Sequence, residues 1–101
     1  MDKFEGTLPV LSEDKMDRYY FGNGRICDNL FLCNMRPGTV DRIYFIGEKY
    51  AYVKDMENVR FVDKKESFAI PLDDFGKDEY HVYIEYNDEV HKLKNEIRIV
   101  R

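Results

Sequence analysis

The side chains best suited to metal binding or acid–base chemistry concentrate in residues 73–93, DDFGKDEYHVYIEYNDEVHKL. This stretch contains both histidines of the 101-residue chain, His81 and His91, together with seven carboxylates and three tyrosines. Imidazoles and carboxylates bind zinc, and clustered carboxylates bind calcium. The first question is therefore whether this stretch forms a metal site or a catalytic site.

Metal binding by the two histidines depends on the turn at Asn87-Asp88. A two-residue turn pairs Ile84 with His91 and places the histidines on opposite faces, whereas a three-residue turn places them on the same face. The calcium-loop pattern D-x-[DN]-x-[DN]-G is absent. We therefore interpret His81 and His91 as surface imidazoles, and we expect no metal and no cofactor.

Catalytic motifs are also missing from the sequence. It has no G-x-S-x-G elbow and no glycine-rich phosphate loop, and Cys27 and Cys33 lie six positions apart, a spacing that fits no metal or redox motif. We expect reduced thiols, with a disulfide across a turn at Asp28-Asn29 as the alternative. The sequence favours a protein that is not an enzyme.

Composition indicates one folded domain spanning residues 1–101. The chain is 44% hydrophobic and 15% aromatic, and its net charge is −4. A negative chain does not suit direct binding to nucleic acid, and no apolar run reaches the roughly 20 residues that membrane insertion requires. No signal peptide is visible, so a cytoplasmic location is favoured if the chain is full length.

Element signals are mostly those of strands. Ser12 as N-cap and Gly22 at the C-terminal end predict a short helix at about 13–21. From about residue 25 onward, short apolar segments recur at intervals of about ten residues, which is typical of an all-β sandwich or barrel. The segment 67–72, SFAIPL, alternates cleanly, and Pro71 places it at the edge or the end of a sheet.

Residues 68–86, FAIPLDDFGKDEYHVYIEY, resemble the E–F corner of immunoglobulin-like and fibronectin-like sandwiches. Tyr80 stands where that family has a tyrosine whose hydroxyl bonds back to the corner backbone while its ring packs in the core. The resemblance implies a mainly β, antiparallel, immunoglobulin-like sandwich of about seven strands with one short N-terminal helix. The alternative is an α+β fold with that helix packed on one antiparallel sheet.

The same resemblance assigns the remaining strands. Segment 40–46 would be the third strand, 49–54 the next, 90–100 the last and 7–11 an edge strand. The chain has no tryptophan in the third strand and no cysteine pair at the antibody spacing, so it is not an antibody-type domain.

Tyrosines are the candidate binding residues. Tyr50 and Tyr52 share one face of a strand, and both rings point outward as a rigid platform if Ala51 and Val53 point into the core. The opposite parity buries both rings. The candidate binding residues are Tyr44, Tyr50, Tyr52 and Tyr83.

Acidic residues near the corner suggest a second surface, formed by Asp73, Asp74, Asp78 and Glu79. The leading function is a non-catalytic interaction or accessory module that binds a protein or glycan, or docks neighbouring domains. The alternative is a small acidic inhibitor that blocks a nucleic-acid-binding partner, as a phage-encoded antagonist would. We expect a monomer or a weak homodimer.

Overall fold

The computed structural model describes residues 2–8, 20–21, 29–33, 38–61, 67–86, 88–93 and 96–100. These residues are mainly β, as the sequence predicts, and contain no helix. The strands are β1 (Asp2–Lys3), β2 (Tyr20–Phe21), β3 (Asn29–Cys33), β4 (Gly38–Ile46), β5 (Ala51–Phe61), β6 (Ser67–Pro71), β7 (Asp78–Tyr86), β8 (Glu89–Lys92) and β9 (Ile97–Ile99).

Two antiparallel sheets contain these strands. The large sheet has the order β1-β5-β4-β7-β8, and β9 also pairs with β7. The small sheet has the order β2-β3-β6. Pro71 is the last residue of β6, which lies at one side of the small sheet, so it occupies a position that a residue without an N–H can take.

Strand β7 shows the predicted alternation. Tyr80, Val82, Ile84 and Tyr86 are all buried, and the residues between them are half-buried on the opposite, outer face. The hairpin to β8 uses the two-residue turn, because Tyr86 pairs with Glu89 and Ile84 pairs with His91. Beyond β8 the chain continues along β7, where the N–H of Leu93 donates to the carbonyl of Val82 at 2.9 Å.

Strand β4 contains a bulge that decides which of its side chains face the core. Val40 pairs with Tyr86 and Arg42 with Glu85, so Asp41 is an extra residue on β4. The bulge keeps Val40 and Ile43 on the same buried face, although they are three positions apart. Without it, strict alternation would turn Val40 away from the core.

Strand β5 extends past the predicted strand at 49–54, as far as Phe61, and has two regular pieces. The two pieces are linked by an irregularity opposite Asp41, at which Glu57 takes a left-handed conformation with φ of 52°. The N–H of Glu57 donates to the Asp55 carboxylate at 2.8 Å, which stabilises the kink.

One buried cluster connects the two sheets. Ile70 of β6 and Leu72 just after it are fully buried, and they belong to the same cluster as the inward-facing residues of the large sheet. Burying a side chain of this size contributes about 1.5–3 kcal/mol relative to exposure. The fully buried large side chains are Ile43, Phe45, Ile70, Leu72, Tyr80, Ile84, Ile97 and Ile99.

Two predicted N-terminal elements differ from the structure. The helix at 13–21 falls outside the described residues except for Tyr20 and Phe21, which form β2 instead. Adjacent bulky aromatic residues are weak helix formers and suit a strand. The edge strand at 7–11 is also wrong in its described part, since residues 7–8 are not in a strand and the edge pairing is made by β1.

The corner before β7 is closed by the phenol of Tyr80. This side chain is fully buried, and its hydroxyl donates to the carbonyl of Gly76 at 2.6 Å. A buried phenol requires such a partner, and the bond fixes the loop against the start of the strand that follows it.

We expect Tyr80→Phe to lower the free energy of unfolding by about 1–2 kcal/mol, because it leaves the Gly76 carbonyl without its donor. Urea unfolding followed by circular dichroism would measure this loss. The control is Tyr83→Phe, which removes the same atom from a half-buried side chain on the outer face. An equal loss in both variants would contradict the role given to Tyr80.

Candidate functional site

The turn between β4 and β5 is held by the carboxylate of Asp78, at the start of β7. Asp78 Oδ2 accepts hydrogen bonds from the backbone N–H of Lys49 at 2.7 Å and of Tyr50 at 3.2 Å. Its Oδ1 accepts one from the N–H of Glu79 at 2.8 Å. The turn is also closed by the N–H of Gly47, which donates to the Tyr50 carbonyl at 2.8 Å.

These bonds stabilise the charged form of Asp78. Partial desolvation acts to raise the pKa of its carboxyl group, but the backbone N–H groups of Lys49, Glu79, Tyr50 and Glu48 outweigh it and hold the pKa below its usual range. A Cβ at Gly47 would overlap the Asp78 carboxylate. Glycine at position 47 therefore makes room for the acid that fixes the turn.

Gly76 is the centre of a cluster of tyrosines. Its N–H donates to the Tyr52 hydroxyl at 3.1 Å, and its carbonyl accepts from Tyr80. A Cβ at this position would lie 2.5 Å from Cε2 of Tyr50, so the ring of Tyr50 packs directly on the glycine. The rings of Tyr50 and Tyr52 are nearly parallel, with centroids 6.3 Å apart.

A groove of about 400 Å³ lies beside this cluster, between residues 3–5 and residues 47–52. We call it the Tyr50 groove. Tyr50 is 42% exposed, as is Val100 near the C-terminal end of the described residues. Its backbone is fixed by Asp78 and its ring rests on Gly76, so Tyr50 is exposed but held in place.

The structure separates the four predicted binding tyrosines. Tyr52 is buried in the core, because the parity of β5 is the reverse of the one that exposes both rings. Tyr44 and Tyr83 pair on the outer face of the large sheet, where the Phe4 ring contacts Tyr44 with a centroid distance of 5.1 Å. Tyr44 is buried and Tyr83 half-buried, which leaves Tyr50 as the accessible member of the set.

The four predicted acidic residues have different environments. Asp73 and Asp74 are exposed in the corner turn. Asp78 binds the backbone of the β4–β5 turn, and Glu79 lies 3.9 Å from Arg98 of β9 in an exposed ion pair. Exposed pairs of this kind add little to stability.

His91 is not a surface imidazole, contrary to the sequence-based interpretation. It is 5% exposed because its register position opposite Ile84 turns it to the core side of the large sheet. Its ring lies 6.4 Å from that of Tyr86, and its Nε2 lies 3.4 Å from a Glu89 carboxylate oxygen.

His81 lies on the outer face, away from His91. Its Nδ1 is 3.5 Å from Glu96 Oε1, but the contact does not have hydrogen-bond geometry. A second groove, of about 360 Å³, passes His81, Glu48, Asp78 and Glu96. Across the described ranges, no three His, Cys, Asp or Glu side chains are arranged to hold a metal ion.

Sequence reasoning missed a pair of carboxyl groups on the outer face. The β4 bulge brings Asp41 next to Glu85. Protonated Glu85 donates a side-chain hydrogen bond to Asp41, which is the main cause that raises the pKa of Glu85, followed by burial. Arg42 Nη1 lies 4.0 Å from Glu85 Oε2 and opposes this rise. The pair depends on the register of two strands, so no local sequence signal identifies it.

Comparison with known proteins gives no relative. No family model matches the sequence, and neither the curated proteins nor the solved structures contain a significant match. No helix in the described part of the chain is long and apolar enough to cross a membrane.

We expect the carboxyl pair to make stability depend on pH. Because the pKa of Glu85 is raised in the folded state, its contribution is complete below the pKa of the unfolded chain and is lost as the pH rises through the folded-state value. Urea unfolding between about pH 4 and pH 7 should show this decline, and Glu85→Gln should flatten it. Glu5→Gln, at an exposed position, is the control and should leave the slope unchanged.

Asp78 should give the opposite dependence. Its folded-state pKa is lowered, so its contribution is present above the unfolded-state pKa and is lost as the pH falls through the folded-state value, below about pH 4. Asp78→Asn should remove about 1 kcal/mol at neutral pH, since water screens this site, and should reduce the acid sensitivity. Acid unfolding monitored by fluorescence tests this, with Asp2→Asn, at an exposed position, as control.

Proposed function

We propose that the chain is an immunoglobulin-like β-sandwich that acts as a non-catalytic recognition module. The strand order supports the fold assignment. The small sheet β2-β3-β6 corresponds to strands A, B and E of such a sandwich. The sequence β5-β4-β7-β8 in the large sheet corresponds to C′, C, F and G, and Tyr80 bonds back to Gly76 as a corner tyrosine does.

The observation that supports recognition is the combination of exposure and rigidity at Tyr50. Its backbone N–H is bonded to Asp78, and its ring packs on Gly76 and stacks with Tyr52. Tyrosine provides a large contact area at a low cost in conformational entropy when it is already ordered. A surface aromatic fixed in this way is suited to be the centre of a binding site.

The Tyr50 groove supports binding of a protein or glycan more than it supports catalysis. Its described lining has lysine, glutamate and aromatic side chains but no histidine, serine or cysteine. The acidic-inhibitor alternative has less support, because Asp78 is bonded to the backbone and Glu79 is paired with Arg98.

We expect Tyr50→Ala to weaken recognition. The wild-type domain would be screened against an immobilised glycan array and a random peptide display library, and each ligand found would be retested on the variants by biolayer interferometry. Ligands should bind Tyr50→Ala at least tenfold more weakly, since an aromatic contact is worth about 1 kcal/mol or more beyond its buried area.

Val100→Ala is the matched control, because Val100 is equally exposed and lies outside the groove. Gly76→Ala is a second test, since its methyl group must displace the Tyr50 ring without removing it. Ligands that bind all three variants as tightly as the wild type would overturn the proposal. Circular dichroism spectra of each variant would establish that it is folded.

A further inference from the structure

The charges around the Tyr50 groove are balanced. Lys3 and Lys49 contribute two ammonium groups to the lining, and Glu5 and Glu48 contribute two carboxylates. All four residues are exposed. An anionic ligand, such as a phosphorylated or sulfated one, would be repelled by the two glutamates, and a strongly basic ligand would be repelled by the two lysines. The lining therefore does not select for a charged molecule.

The same four side chains provide hydrogen-bond partners of both kinds. Carboxylates accept hydrogen bonds, and ammonium groups donate them. A ligand whose polar groups both donate and accept hydrogen bonds can bond to all four side chains. Hydroxyl groups have this property.

The size and shape of the groove favour a small ligand with one apolar face. Its volume of about 400 Å³ lies in the range of small-molecule sites, about 300–1,000 Å³. A stable protein interface instead requires about 800 Å² from each partner. Tyr50 contributes an exposed aromatic side chain to the groove, and the charged side chains of Lys3, Glu5, Glu48 and Lys49 line the groove beside it.

We propose that the Tyr50 groove binds a neutral saccharide, with the apolar face of one sugar ring on Tyr50 and its hydroxyl groups hydrogen-bonded to Glu5, Glu48, Lys3 and Lys49. A pyranose ring combines an apolar face of C–H groups with a rim of hydroxyls, which matches the groove in both respects. This inference rests on the proposed recognition function and specifies its ligand class.

The test uses nuclear magnetic resonance with the ¹⁵N-labelled domain. Neutral oligosaccharides built from glucose, galactose, mannose and N-acetylglucosamine would be titrated separately, beside a heparin disaccharide and a peptide from the display selection. At least one neutral sugar should shift the amides of residues 3–5 and 47–52, with a dissociation constant of about 1 mM or tighter, as expected for a shallow site.

Variants then establish the contact. Tyr50→Ala should weaken sugar binding about tenfold or more, whereas Tyr50→Phe should retain it within about threefold, because the ring face is kept. Glu48→Gln keeps an acceptor and should have a smaller effect than Glu48→Ala. Val100→Ala should bind as the wild type does.

Different outcomes separate the two proposals. If no neutral sugar binds but a peptide or the heparin disaccharide binds in a Tyr50-dependent way, the saccharide assignment is overturned and the recognition function stands. If ligands of every class bind independently of Tyr50, both are overturned. Sugar binding that shifts amides elsewhere, such as those of residues 96–100, also overturns the assignment to this groove.

Discussion

The structure depends on the way in which two tyrosines satisfy the backbone of one glycine. The N–H of Gly76 donates to Tyr52 of β5, and its carbonyl accepts from Tyr80 of β7. A corner loop has no strand partner for its backbone, and a polar group buried without a partner is costly. The two phenols supply partners from two different strands, so they link the corner to the large sheet. Phe75 is buried between the same rings and adds an apolar contact to the link.

The link also determines where the exposed tyrosine lies. Because Gly76 is held close to β5, it forms a flat surface on which the Tyr50 ring rests, and Asp78, two residues later, reaches the backbone of the β4–β5 turn. Stability and the proposed recognition therefore depend on the same few residues. The Tyr50 ring packs on Gly76 of the corner loop, and the β4–β5 turn places Tyr50 in the lining of the groove.

The clearest part of the fold was predictable because its pattern is local. The alternation of buried and half-buried residues in β7 follows from a period of two that is visible in its sequence. The burial of individual side chains was harder to predict where it depends on the register of two strands or on a β-bulge. His91 is buried because of its partner across the hairpin, and Val40 is buried because of an extra residue beside it. The cross-strand partners that set these positions, Ile84 for His91 and Tyr86 for Val40, are not adjacent to them in sequence.

The candidate site was harder to predict than the strands, for the same reason. The spacing of Tyr50 and Tyr52 in the sequence indicates that their rings are neighbours, as they are in the structure. The spacing does not show which of the two rings faces the core. The hydrogen bond between the Lys49 N–H and the Asp78 carboxylate joins residues 29 positions apart. Composition alone does not distinguish a carboxylate that bonds to the backbone from one that is a free surface charge. The carboxyl pair at Asp41 and Glu85 likewise appears only once the strands are aligned.

The left-handed residue in β5 has a consequence for association between copies of the chain. Strand β1 covers β5 only at Tyr52 and Val53, so within the described strands the side of β5 beyond them has no partner. A straight side of that length would serve as a template on which a foreign strand could add. At Glu57 the chain bends out of the regular pleat, and the incoming strand would lose its ladder after a few residues. Within the described strands, the kink therefore disfavours the addition of a further strand along that side of β5.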